Sequence, residues 1–521
     1  MTTFVILYFY LNQHRIIMSP YLLFGFVFGY FLLLLAVAWY TSKNSDNESF
    51  FIGNRSSNWL LVAFGMVGTS LSGVTFVSVP GTVGVGAFGY YQVVIGYFLG
   101  YFAIAFILLP LYYKMNLTSI YRFLEERFGI VSYKTGALFF IISRTLGATA
   151  RMYLVINILQ IFILDTLGVP FFITAFVMLL LILLYTFEGG VKTIVYTDTL
   201  QTTFMLGGLV VCIIALMSKM NLGMGDTFSL LHSEGLTKIF NTDIKASGFF
   251  LKQILGGAFI TIAMTGLDQE MMQKNISVKT LGDSQKNVLT LASVLMFVNI
   301  LFLTLGGLLF LYAKQNNLDL KGDDLFPSIA LGGFLAPAIG VMFIIGLISA
   351  LFPSADGALT AMTSSFCIDM LGMQKDTLSS DAQKKRTRLT VHITFALIFL
   401  LCVLGFKWID DKSIIDVILK LAGYTYGPLL GMFAFGIFTK RKVVDEWVIW
   451  VCLMSPILIF GIDFINNAEW FAKKLALSEA TTTSLTQLSE NIFSGFKIGI
   501  EILILNGLLT FAGLWAISKK Q

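Results

Sequence analysis

The stretch ISALFPSADGALTAMTSSF, residues 348–366, sets Ser349, Ser354, Asp356, Thr360, Thr363, Ser364 and Ser365 inside an apolar run. Polar groups in hydrocarbon are expensive, and they face a bundle interior or a water-filled path. Ala350 and Ser354 are four apart and stack on one helical face; Ser349, Pro353 and Asp356 occupy a neighbouring one. Pro353 has no N–H, so the carbonyl of Ser349 loses its helical partner. A freed carbonyl, a hydroxyl and a carboxylate are hard oxygen donors, which suit small hard cations rather than soft metals. A Ser/Thr packing face is the alternative. Asp356 weighs against it, because a carboxylate in mid-membrane needs a counter-charge.

Three other places carry polar groups within apolar windows. LVAFGMVGTSLSGVTFVSVPG combines Gly65, Gly68, Gly73 and Pro80 with Thr69, Ser70, Ser72 and Thr75. A break here would free carbonyls to coordinate a cation; a Gly/Ser seam for close helix packing uses the same residues. FFIISRTLGATARMYLVINI carries Arg144 and Arg151, seven apart and so on about one face. They read either as partners of carboxylates on other helices or as a clamp for an anionic solute. EGGVKTIVYTDTLQ brings Asp198 and Gln201 into the membrane beside Thr197 and Thr199. Asp198 reads as a helix cap, as an arginine partner or as part of an ion path.

The elements that hold these groups follow from composition. The chain has 521 residues, 56% of them hydrophobic and 12% charged, against about 25% charged in soluble domains. About 20 apolar residues cross the hydrocarbon as a helix, and such windows recur. The expectation is an all-α polytopic membrane protein with about thirteen spans, near 20–40, 58–80, 85–113, 134–162, 168–186, 191–218, 248–270, 286–313, 337–371, 387–406, 414–438, 446–466 and 496–517. Lys43, Arg55, Lys114, Lys274, Lys375 and Lys440 fall in alternate connections with most of the other basic residues. The positive-inside rule then puts the N-terminus out and the C-terminus in. The run FVILYFYLN before residue 18 is too short to span and lacks a signal-peptide cleavage site; Met18 is a candidate start. Cys212, Cys367, Cys402 and Cys452 lie in apolar stretches without metal-ligand spacing and read as small core residues. There is no GxxxxGK[ST] phosphate loop and no loop long enough for a soluble module, so work must draw on a gradient. Nothing points to nucleic acid or to an obligate protein partner, and nothing points to an enzyme.

These residues resemble the sodium:solute symporter family over roughly 20–517. EGGVKTIVYTDTLQ is similar to the family signature of paired glycines followed by Thr-Asp and Gln. GYTYGPLLGMFAFGIFTKR and GTSLSGVTFVSVPG are typical of it, and SADGALTAMTSSF resembles choline- and sialic-acid-transporter relatives. The resemblance implies an inverted five-helix repeat of the leucine-transporter type. Its halves are 58–218 and 248–438, with 1–57 and 439–521 peripheral and 219–247 an outer loop. A second break falls in AMTGLDQEMMQK, with Asp268 and Gln269 near the solute.

The resemblance also implies a common sodium site. It is formed by backbone oxygens at Gly68, Leu71 and Ala350 and by hydroxyls at positions 353 and 354. Ser354 fits. Pro353 removes one hydroxyl, which the freed carbonyl of Ser349 could replace. A second sodium in some relatives uses the signature Asp, here Asp198, and hydroxyls at positions held by Asp356 and Gly357. Asp198 and Asp356 would hold a cation or share a proton, with Arg144 or Arg151 as a further counter-charge. Solute contacts fall on Ser70, Ser72 and Thr75, on Gln92, and on Arg144 or Arg151 for a carboxylate. The expected function is sodium-coupled symport of a small polar solute, with a lean to an organic anion such as a sialic acid. One or two sodium ions would move per cycle, in a bacterial inner membrane. The alternatives are proton coupling and a solute sensor that does not transport.

Overall fold

The computed structural model describes residues 19–41, 58–186, 190–376, 378–407 and 414–520. The N-terminal run, Met18, Lys43 and Arg55 lie outside them. Long apolar segments satisfy their own backbone groups only as helices when water is absent, and helix occupies each of the thirteen expected windows. In chain order the helices are α1 (Pro20–Thr41), α2 (Trp59–Gly86), α3 (Tyr91–Ala103), α4 (Leu109–Lys114), α5 (Arg122–Arg127), α6 (Ile130–Leu159) and α7 (Phe171–Thr186). There follow α8 (Gly190–Lys219), α9 (Met224–Ser233), α10 (Phe250–Thr261), α11 (Gln269–Ile276), α12 (Leu281–Gln315), α13 (Leu325–Leu331) and α14 (Pro337–Ser365). The last are α15 (Asp381–Phe406), α16 (Ile414–Thr425), α17 (Gly427–Phe438), α18 (Asp445–Asn466), α19 (Ala468–Lys474), α20 (Glu479–Phe493) and α21 (Ile502–Ala516). A two-residue ribbon pairs Lys442–Val443 with Ser518–Lys519.

By length and composition eight of these stretches can cross a membrane, or ten if each of two bent pairs is one span. One stretch, Trp59–Lys114, is 56 residues long, enough for two passes. Ala87, with φ of 49°, ends α2 before α3 begins. α2 runs past Pro80 to Gly86, beyond the expected end of that span. The bent pairs are Phe250–Gly266 with α11, at 65°, and α16 with α17, at 46°. The outer loop expected at 219–247 contains α9. All four cysteines are free thiols.

α14 is the central element. Every residue from Gly346 to Ser365 is buried, and α14 packs along α2, α6 and α8. A helix buried on all sides has no lipid face, so the hydroxyls of the opening stretch point only at protein. Close approach comes from glycine. A Cβ on Gly96 would lie 2.2 Å from the Ile254 carbonyl oxygen, and one on Gly257 2.3 Å from that of Val93. α3 and α10 therefore meet backbone to backbone, as small residues allow in membranes. α1 and α18 are peripheral and expose Phe24, Phe28, Trp447 and Trp450.

Between α12 and α13, Asp323 accepts a hydrogen bond from the Ile414 N–H at 3.0 Å, tying this loop to the start of α16. Burial pushes its carboxyl up from 3.8 to about 7, and the Ile414 N–H offsets this only in part. The folded value is the higher one, so the folded state holds the proton more tightly. Stability is then greatest on the acid side and declines as pH rises from about 4 to about 7. Melting of the purified protein should fall across this window, and Asp323→Asn should flatten that slope. The same slope in the variant would assign the pH dependence to other groups.

Candidate functional site

α2 leaves helical geometry at one residue, Ser72, with φ of 35° and ψ of 166°. A helix that stops leaves its last carbonyls without partners, and Gly68 and Leu71 lie in the turn before this stop. That turn faces the middle of α14. A Cβ on Gly68 would lie 3.5 Å from Pro353 Cγ, and one on Gly73 would lie 3.9 Å from the Leu351 Cα. Ala350 and Ser354 are fully buried. Ser354 Oγ donates to the Leu351 carbonyl at 2.8 Å, which leaves its lone pairs to accept. Ser349 Oγ instead points to α1 and donates to Tyr30 at 2.6 Å.

A hydroxyl not foreseen from the sequence joins this region. A Cβ on Gly68 would lie 2.3 Å from Thr202 Oγ1 of α8, and that buried hydroxyl has no hydrogen-bond partner among the described residues. It stands next to the place where Pro353 withholds one. α2, α8 and α14 thus come together at Gly68, Thr202 and Pro353, and carbonyl and hydroxyl oxygens are donors of the kind that suit a small hard cation.

One step along lies a buried run of charges. Asp268 starts α11 after the break: its Oδ1 accepts from the N–H groups of Glu270 at 3.0 Å and Met271 at 3.3 Å, satisfying orphan donors of the new helix. Its Oδ2 accepts from Tyr426 Oη at 2.8 Å and lies 3.8 Å from Arg144 Nη1. Arg144 Nη2 donates to Glu270. Glu270 and Lys274, four apart on α11, share a face. Lys274 Nζ lies 3.6 Å from Glu270 Oε1, and it donates to Asp198 Oδ2 at 2.7 Å and to Thr69 Oγ1 at 2.8 Å. Thr69 in turn donates to Asp198 at 3.2 Å. Lys274, grouped above with inward loops, is instead buried in α11. It is this ammonium, not Arg144 or Arg151, that meets Asp198. Asp356 Oδ1 accepts from the Gly357 N–H.

Beside the break lies a cavity between α2, α3, α6, α10, α12 and α16. Ser70, Ser72, Thr75, Arg144 and Arg151 line it, with Tyr90, Tyr97, Tyr101, Thr261, Thr265 and Asn299. Among the described residues its wall contains two guanidinium groups and no carboxylate. Tyr90 and Tyr97 share a hydrogen bond at 3.2 Å.

Gln92, Asp268 and Gln269 are not in that wall. Gln92 donates to the Gly89 carbonyl at 3.0 Å and accepts from the Asn241 N–H at 3.1 Å, fastening the loop before α10 to α3. Gln269 donates to the Thr118 carbonyl at 2.9 Å and accepts from the Ile120 N–H at 3.0 Å. Lys274, Glu270 and Thr202 carried a weak signal in sequence. The Glu270/Lys274 spacing directly after a helix break was the strongest part of it.

The sodium:solute symporter family profile matches residues 50–445. The chain belongs to the sodium:solute symporter family. The sodium/sialic acid symporter SiaT of Proteus mirabilis (strain HI4320) is 24% identical over 485 residues, covering 86% of this chain and 92% of that one. The sodium/sialic acid symporter NanT of Aliivibrio fischeri (strain ATCC 700601 / ES114) is 23% identical over 433 residues, covering 80% and 82%. The solved substrate-bound, outward-open state of a Na+-coupled sialic acid symporter superposes with a TM-score of 0.77 at 20% identity, covering 96% of this chain and 99% of that one. This symporter therefore has that fold. It is a multi-pass membrane transporter, not an enzyme, and it couples sodium to the uptake of an organic solute.

The two arginines differ in what their removal exposes. Arg144→Gln strips Glu270 and Asp268 of their guanidinium and should cost about 3–5 kcal/mol, the range for breaking a buried pair. Arg151 has no ion pair among the described residues, so Arg151→Gln should melt close to the parent. Thermal unfolding in detergent checks this, and equal losses would give Arg151 a structural role.

Proposed function

We propose that this symporter carries an organic anion, a carboxylate of the sialic-acid class, with Arg151 as the partner of the solute carboxylate. One observation carries the reading. Of the two guanidinium groups in a cavity wall without carboxylates, Arg144 is neutralised by Glu270 and Asp268 and Arg151 is not. Arg151 is half-buried in the cavity wall, where a guanidinium without a carboxylate partner among the described residues offers its fork to an anionic solute. The hydroxyls of Ser70, Ser72 and Thr75 suit a polyhydroxylated solute. The names of the SiaT and NanT relatives lend support.

The sodium ion is assigned to the carbonyls of Gly68, Leu71 and Ala350 and the hydroxyl of Ser354. Thr202 Oγ1 supplies the donor that Pro353 lacks; the Ser349 carbonyl is the further candidate. Asp198 and Asp356 act as charges that tune this site. Gln92, Asp268 and Gln269 act on the solute through the elements they position. Sodium joins the stop in α2 to α14 and so favours the conformation that receives solute. The coupling is reciprocal by thermodynamic necessity.

Thirteen passes with the N-terminus out and the C-terminus in, in a bacterial inner membrane, complete the reading. The inverted halves are 58–218 and 248–438. Each half begins with an interrupted helix, at Ser72 and at Leu267–Asp268, which supports that division.

Uptake of N-acetylneuraminate into proteoliposomes tests the solute class. Arg151→Lys keeps the charge and loses the bidentate fork, so KM should rise about tenfold while the half-saturating sodium concentration stays put. An unchanged KM, or better uptake of a neutral sugar than of the acid, would remove the anion assignment.

The sodium ligands are tested separately. Ser354→Ala and Thr202→Val should each raise the half-saturating sodium concentration several-fold. Thr203→Val, at an exposed neighbour bonded only to the Thr199 carbonyl, should leave it unchanged. Parent-like sodium dependence in Thr202→Val would take Thr202 out of the site.

A further inference from the structure

We infer that Lys274 is a tethered cation that fills a second cation position beside the sodium site, so that this symporter binds and couples one sodium ion rather than two. This rests on the sodium-coupled reading above.

The argument starts from Asp198. It is 1% exposed and lies against α2, where a Cβ on Gly65 would be 3.2 Å from its Cβ. A carboxylate this deep stays ionised only with a cation in contact. Two sources exist: a sodium ion from solution, or a side chain.

Lys274 is already in that place. Its ammonium contacts the Asp198 carboxylate and the Thr69 hydroxyl at hydrogen-bond distance and has the Glu270 carboxylate at 3.6 Å. Those oxygens are the ligands a hard monovalent cation would use there, and an ammonium has three donors to give them.

The opposite wall is shaped for the same arrangement. A Cβ on Gly357 of α14 would lie 2.2 Å from Glu270 Oε1. A side chain at 357, and hence a ligating hydroxyl, is incompatible with Glu270 where it stands. The glycine, the glutamate and the lysine form one set.

Removing the ammonium leaves Asp198, Glu270 and Thr69 as an oxygen cage with net negative charge and room for an ion. Lys274→Ala should therefore create a sodium site rather than destroy one.

The test counts radioactive sodium bound at equilibrium to the purified full-length protein at alkaline pH, without solute. The parent should bind one ion per chain and Lys274→Ala two. Lys274→Ala combined with Asp198→Asn should return to one. Two ions on the parent would overturn the tethered cation and leave sodium coupling standing. None on the parent would overturn both. One ion on parent and Lys274→Ala alike, or two on the double variant, would also overturn the inference. If Lys274→Ala does not fold, the parent count still decides.

Discussion

Everything in this transporter hangs on a backbone that stops being helical at one residue in a medium that tolerates no loose carbonyl. Each unsatisfied peptide group in hydrocarbon costs several kcal/mol. A stop at Ser72 is affordable only because the turn before it, with Gly68, presses on α14 near Pro353. On the proposed assignment, a dehydrated cation between the two would satisfy oxygens that the helix has released. The ion would then bind for the same reason that the helix can break, and binding and the relative position of α2 and α14 would not be separable events. That identity links a chemical gradient to a conformational change.

The second break obeys the same rule with different chemistry. At Leu267–Asp268 the new helix begins with its own cap, Asp268, and the bend carries α11 beneath the first break. α11 delivers Glu270 and Lys274 as a charged pair into the space between α2, α8 and α14. From there the charges alternate, Asp198, Lys274, Glu270, Arg144 and Asp268, each opposed by its neighbours. Such a run tolerates burial because no member is left alone, and it ties α11 to α6 and α8. Arg151 stands outside the run, and in the proposed reading its charge meets the solute carboxylate.

Much of this was legible in sequence, and the limits have physical causes. Apolar windows of bilayer length located the helices, since that signal is local. Gly68, Gly73 and the Ser/Thr cluster announced a weak helix, and the family resemblance placed the second interruption in AMTGLDQEMMQK. The oxygens around Ser354 announced a buried polar helix, and α14 is buried from Gly346 to Ser365. Lys274 was barely legible, its spacing from Glu270 apart. Near the end of an apolar window a lysine looks like a loop residue, and only the 65° bend takes it inward. Gln92 and Gln269 show the converse. An amide in a membrane segment reads as a solute ligand, yet both satisfy backbone groups of adjoining segments, a demand visible only once the chain is folded. Thr202 is one threonine among many until Gly68 is set against it.

Charge balance joins the site to its energetics. A membrane potential of 100 mV acts with about 2.3 kcal/mol on each elementary charge that crosses. It does little to a charge fixed in the protein. Lys274 stays behind at every turnover, so it neutralises Asp198 without adding to the charge carried. If, as proposed, one sodium ion and one monovalent anion cross together, they carry no net charge, and the potential drops out of the driving force. What remains is the sodium concentration ratio: a tenfold ratio sustains about tenfold solute accumulation, roughly 1.4 kcal/mol. A second mobile sodium in place of the lysine would bring the potential back in and steepen accumulation. Whether Asp198 is met by a tethered or a free cation therefore sets how hard this symporter can pull.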